Sequence, residues 1–134
     1  MVQTDPPSGV PGNDLLDPAI MEQLLSLDDG ELGLLKEMFG LFQEDTPGRI
    51  QAIESALASG DLVDMADVAH AIKGAAGTMG VPKLRILAAE LEGGGRKGSF
   101  GVDPALLLEQ LREAYSDAVA ALQAFIAARE AGQA

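Results

Sequence analysis

The chain contains a single histidine, His70, and no cysteine. Neutral imidazole serves near pH 7 as a nucleophile or as a general acid and base, so His70 is the first residue to weigh for chemistry. One imidazole excludes multi-histidine metal sites and any triad that needs two. The lack of Cys excludes disulfides, zinc–thiolate clusters and thiol catalysis. His70 lies in the stretch Asp61 to Gly80, DLVDMADVAHAIKGAAGTMG. On a helix with His70 at 0°, Lys73 falls at about −60°, Gly77 at about −20°, Gly74 at about +40° and Asp67 at about +60°. Met65, Val68, Ile72, Ala75 and Met79 lie within about 40° of the opposite pole, which predicts a core stripe there and an imidazole in water.

Three glycines sharpen this reading. Each interior helical Gly costs about 0.5–1 kcal/mol relative to Ala, so Gly74, Gly77 and Gly80 together cost roughly 2–3 kcal/mol. Gly74 and Gly77 share the face of His70, where bare backbone lets another molecule approach; both are assigned to partner docking. Gly80, just before Val81-Pro82, equally ends the helix and is assigned a structural role. Lys73, one turn on from His70, can neutralise phosphate oxygens carried on the imidazole, although a solvated surface lysine is the commoner case. Asp67 can orient the second ring nitrogen, but a plain solvated carboxylate is the simpler reading.

Charge adds a direction. The 134 residues carry 9 Lys+Arg against 21 Asp+Glu, a formal −12. Between His70 and Ser99, however, five basic residues (Lys73, Lys83, Arg85, Arg96, Lys97) face two acidic ones, Glu90 and Glu92. A positive collar on an acidic chain implies an acidic or phosphorylated partner at this end, with Lys83 and Arg85 in the docking surface. Arg96 and Lys97 equally complement a helix C-terminus. The overall acidity argues against nucleic acid or an anionic membrane as the main partner.

The elements that must position these residues are helices. Ala and Leu dominate a hydrophobic fraction of 47%, aromatics are 4%, and no strand alternation is present. Asp17-Pro18 reads as an N-cap followed by Pro at the first helical position, opening a short helix to about Leu27. Asp28 or Asp29 is expected to cap a helix carrying Leu32, Leu35, Met38, Phe39 and Phe42. Thr46-Pro47 repeats the cap-plus-Pro device ahead of Ile50, Ile53 and Leu57. Gly60 ends that helix, Asp61 caps the next, and Val81-Pro82 breaks or kinks it. Leu84, Leu87, Ala88 and Leu91 continue to a Gly93-Gly94-Gly95 stop, read as a linker. Asp103-Pro104 opens the last helix. The expectation is an all-α, up-down antiparallel four-helix bundle with an additional short N-terminal helix. Residues 1–13 form a disordered leader, 14–131 the domain and 132–134 a flexible tail. The longest uncharged apolar stretch, Ala118 to Ala128, is far short of the roughly 20 residues a membrane helix needs. No basic residue precedes an apolar core at the start, so no secretory signal is expected. Absence of Cys fits a reducing, cytoplasmic setting, and polar exposed faces imply a monomer.

His70-Ala71-Ile72-Lys73-Gly74, five residues and then Gly80 fit H-x-x-K-G-x5-G. This signature resembles that of histidine-containing phosphotransfer (HPt) domains. Phe39-Gly40-Leu41-Phe42, Asp45-Thr46-Pro47, Gly60-Asp61 and Leu91-Glu92 also look like family landmarks, over about Leu16 to Phe125. Gly77 departs from the pattern, in which Ser or Ala is commoner. The resemblance implies a phosphorelay intermediate in which His70 takes a phosphoryl group from a response-regulator receiver aspartate and passes it to another receiver. It implies Lys73 as charge partner, no cofactor on this chain, Mg²⁺ on the receiver, and a hybrid sensor kinase upstream. Alternatives are the phosphoacceptor domain of a larger chemotaxis or hybrid kinase, and a receiver-binding adaptor without phosphotransfer. An enzyme with His70 as acid and base is a further reading, with only Asp67 as second polar group. No P-loop-type glycine motif is present, because Gly93-Gly94-Gly95 lacks the following Lys-Ser/Thr.

Overall fold

The computed structural model describes residues 15–27 and 30–132. It contains helices α1 (Pro18–Ser26), α2 (Gly33–Ser59), α3 (Leu62–Met79), α4 (Pro82–Lys97) and α5 (Pro104–Gly132), and no strand among the described residues. Most ends follow from local chemistry. The Asp17 carboxylate accepts from the amides of Ala19 and Ile20 and leads into Pro18 at the first helical position. Asp61 accepts from the Asp64 amide, and Asp103 from that of Ala105. Gly60, Gly80 and Gly98 close α2, α3 and α4 in the left-handed conformation.

Two-residue links join α2 to α3 and α3 to α4, so sequential helices pack as antiparallel neighbours. α2 and α5 complete the ring, giving four main helices with α1 against α2 and α3. The core is aliphatic, with Leu35, Ile53, Met65, Ile72, Leu91, Leu111 and Leu122 essentially sealed from solvent. The all-α bundle with a short extra N-terminal helix is the architecture the sequence implies.

Several details differ from expectation. α2 runs unbroken through Pro47. Pro47 removes one backbone hydrogen bond, at about 3 kcal/mol. The buried series Leu35, Phe39, Phe42, Thr46, Ile50 and Ile53 stays on one stripe across the break and holds the helix together. Thr46 is a core residue rather than a cap, and its Oγ1 has no hydrogen-bond partner among the described residues. At the start of α2 the cap position falls to Leu32, left-handed at φ 61° with its side chain buried; Asp28 and Asp29 lie outside the described residues. The leader 1–13 and residues 133–134 also lie outside them, whereas Gly132, placed in the tail, is the last residue of α5.

The most consequential difference is the triple glycine, which is helix interior. A Cβ on Gly95 would lie 2.8 Å from Met65 Cε, 2.9 Å from the Leu62 carbonyl oxygen and 3.1 Å from Ala66 Cβ. One on Gly94 would lie 2.1 Å from the Phe100 ring. Gly95 lets α4 close onto the N-terminal half of α3, and Gly94 makes room for the Phe100 ring. The buried face of α3 is rotated from the expected stripe. It comprises Met65, Ala66, Ala69, Ile72, Ala76 and Met79, while Val68 and Ala75 are only partly buried. Small residues face the neighbouring helix at the tightest crossing, and the core stripe follows them rather than bulk.

Candidate functional site

His70 projects from α3 with 63% of its side chain exposed, so the imidazole stands in water as expected. Its immediate partner comes from the other side of the α3–α4 seam. His70 Nδ1 lies 2.8 Å from Glu92 Oε2. The second oxygen, Oε1, is 2.6 Å from Lys73 Nζ. One turn further along α4, Arg96 Nη1 donates to Asp67 Oδ1 at 2.9 Å, and its Nη2 stands 3.6 Å from Glu92 Oε2. Two carboxylates and two cations therefore alternate along the seam, with His70 at the solvent edge.

Glu92 organises this group. Only 14% of its side chain is exposed. The Lys73 ammonium holds its carboxyl below the usual carboxylate range against the opposing effect of burial, and the hydrogen bond to His70 acts in the same direction as Lys73. Glu92 is thus ionised at neutral pH and can only accept. Nδ1 must carry the proton, which leaves the lone pair of neutral imidazole on Nε2. Nε2 has no hydrogen-bond partner among the described residues. The arrangement is an oriented nucleophile with an open approach.

Asp67, expected to orient the ring if any carboxylate did, is engaged by Arg96 instead. Glu92 takes that role from 22 residues away. Gly74 is exposed on the face of His70, and a Cβ there would meet nothing within 4 Å among the described residues. At Gly77 a Cβ would touch Arg85 Cδ at 3.5 Å, an ordinary contact, so Gly77 lies beside α4 rather than on open surface. Lys83 and Arg85 are exposed on α4. Gly80 is structural: φ is +69°, a Cβ would approach Ile20 to 2.9 Å, and its carbonyl accepts from the Asp17 amide at 2.7 Å. On the other flank of α3, Leu41 and Phe42 face Ala75 and Met79 across an open groove of about 190 Å³.

The described residues thus form an all-helical bundle that offers one oriented imidazole on an open face. The profile of the Hpt domain family matches residues 37–125. The chain belongs to this family, the histidine-containing phosphotransfer domains of two-component systems, whose members are carriers and not kinases. Among solved structures it is similar to the histidine-containing phosphotransfer domain of ArcB from Escherichia coli. That match has 26% identity and a TM-score of 0.73, covering 87% of this chain and 96% of that one. A solution structure of the same domain of the anaerobic sensor kinase ArcB gives 25% identity and a TM-score of 0.72, over 90% and 94% of the two chains. Histidine-containing phosphotransfer protein B from Pseudomonas aeruginosa PAO1 shares the fold at 23% identity, with a TM-score of 0.74 over 83% and 93%. No curated protein matches significantly in sequence. Among the described residues no helix is long and apolar enough to cross a membrane, and no group of His, Cys, Asp and Glu could hold a metal ion.

Proposed function

We propose that this chain is a phosphorelay intermediate with His70 as its phosphoacceptor. The observation that carries this reading is the hydrogen bond from Nδ1–H to ionised Glu92, which leaves the Nε2 lone pair facing solvent. In the accepting step Nε2 attacks the phosphorus of an aspartyl phosphate on a receiver. The Nε2–P bond forms, the P–O bond breaks, and its electron pair returns to the receiver carboxylate. No proton moves. The phosphorylated ring keeps its Nδ1 proton and becomes cationic, and Glu92 lies beside that charge. Lys73 neutralises the phosphoryl oxygens as a point charge. Transfer onward is the reverse reaction with the carboxylate of a second receiver as nucleophile. Such transfer rests on in-line positioning and charge neutralisation, so the Mg²⁺ and its ligands are assigned to the receiver and none to this chain.

Gly74, Lys83 and Arg85 form the docking ground for the receiver, with Gly77 letting Arg85 lie close against α3 and the apolar groove on the opposite flank of that helix, and a hybrid sensor kinase feeds the relay. The test is to incubate the protein with phosphorylated receiver and Mg²⁺. An acid-labile, alkali-stable label is expected, absent from His70→Gln. Label retained by that variant, with its fold intact by circular dichroism, would overturn the assignment.

A further inference from the structure

A phosphoacceptor at His70 asks two things of Lys73 at once. Lys73 is the cation available to the phosphoryl group, yet in the unphosphorylated protein it is bonded to Glu92 Oε1 at 2.6 Å. Once it turns to phosphate, Glu92 Oε2 keeps its bond to Nδ1, now on a cationic ring, while Oε1 is left without the ammonium that satisfied it. A carboxylate that is only 14% exposed cannot recover its full hydration, so it competes for Lys73. Arg96 stands one turn away on the same helix, with Nη2 3.6 Å from Glu92 Oε2. That is ion-pair range but too long for a hydrogen bond. Its Nη1 is anchored on Asp67 at 2.9 Å. A guanidinium has five donors, so it can close on Glu92 while keeping one donor on Asp67.

Building on the phosphoacceptor reading, we propose that Arg96 is a positioning residue that replaces Lys73 on Glu92 when His70 is phosphorylated, freeing Lys73 for the phosphoryl group. The competing reading is an exposed bridge to Asp67 that only ties α3 to α4, worth about 0–1 kcal/mol. On that reading Nη2 makes only an i,i+4 helix pair with Glu92, and the two readings differ in whether Arg96 matters more once His70 is labelled. Charge arithmetic favours the exchange. Asp67, Glu92, Lys73 and Arg96 sum to zero beside a neutral imidazole. Phosphorylation adds a dianion and one ring charge, a net −1, which draws Lys73 toward the phosphoryl group and leaves Arg96 as the side-chain cation nearest Glu92.

The test is a double-mutant cycle on full-length protein labelled by phosphorylated receiver, purified from it, and followed for loss of phosphohistidine. Arg96→Gln is expected to shorten the half-life by about two- to fivefold, the effect of one partly exposed ion pair on the labelled state. In a Glu92→Gln background, where there is no carboxylate to hold, the same substitution is expected to change it by less than about 1.5-fold. Equal shortening in both backgrounds would mean that Arg96 acts directly on the phosphate or on the fold, and would overturn the exchange. No shortening in the wild-type background would also overturn it. Failure of the phosphoacceptor reading is distinguishable, because the wild-type protein would then take up no label on His70.

Discussion

Adjacent glycines in α4 should respond to the same substitution with opposite signs. Gly93, Gly94 and Gly95 are all helical. At Gly93 a Cβ meets nothing within 4 Å among the described residues. Gly93→Ala therefore keeps only the helix-propensity gain and should stabilise the protein by about 0.5–1 kcal/mol. At Gly95 the same gain is opposed by contacts at 2.8, 2.9 and 3.1 Å, one of them to the backbone oxygen of Leu62, which cannot rotate away. Overpacking of this kind costs about 1–3 kcal/mol, leaving Gly95→Ala destabilised by about 1 kcal/mol net. Urea unfolding measures both, and each kcal/mol corresponds to about 3–5 °C in Tm for a domain of this size. Gly95→Ala should also push α4 away from α3 and weaken the His70–Glu92 hydrogen bond, read from the ¹⁵N shifts of the imidazole. If both variants are stabilised, or if Gly95→Ala leaves the ring nitrogens untouched, these glycines do not set the seam.

Glu92→Gln should release the tautomer: ¹⁵N spectra at pH 8 are expected to show a mixture where the wild type shows protonated Nδ1 alone, and an unchanged spectrum would remove Glu92 from its role. Because the Glu92 carboxyl is held below its ordinary value of 4.5, its contribution to stability is complete above that pH and is lost as pH falls through the lower folded value. Acid titration of Glu92→Gln against wild type should therefore show a constant difference above pH 4.5 that shrinks as pH falls through the lowered folded value. Gly74→Leu places a side chain on the open face beside His70 and should weaken receiver binding at least about tenfold, the cost of a steric block at an interface centre, while circular dichroism stays helical. Unaltered binding would refute docking over Gly74. Thr46→Val keeps the shape but removes a buried hydroxyl without a partner, and should raise stability by about 1 kcal/mol in urea unfolding; a loss would show that the hydroxyl is satisfied.

What could be read from the chain was mostly local. Asp17-Pro18, Asp61, Gly60 and Gly80 signal helix ends through bonds within a few residues, and they hold in the structure. The outward direction of His70 follows from the periodicity of its own helix. Pro47 misled because its penalty is local while the buried stripe that outweighs it spans all of α2. The triple glycine misled for the converse reason. Its composition resembles a linker, and only the approach of Phe100, Met65 and Leu62 shows why side chains are missing at Gly94 and Gly95. Glu92 was legible as a landmark but not as the partner of His70. A helical wheel orders residues around one axis and says nothing about which residue of another helix will face them. Asp67, the nearest carboxylate on the same helix, reads most simply as a solvated carboxylate, and the structure pairs it with Arg96.

The seam has a consequence for when this molecule can signal. The reactive nitrogen is chosen by a carboxylate that arrives on a different helix, so the choice exists only while those two helices are assembled. A chain that is misfolded, nicked between them or locally frayed retains its histidine but no longer directs the lone pair outward. Under the proposed relay, transfer therefore weakens as the seam opens, in proportion to the tautomer it no longer holds.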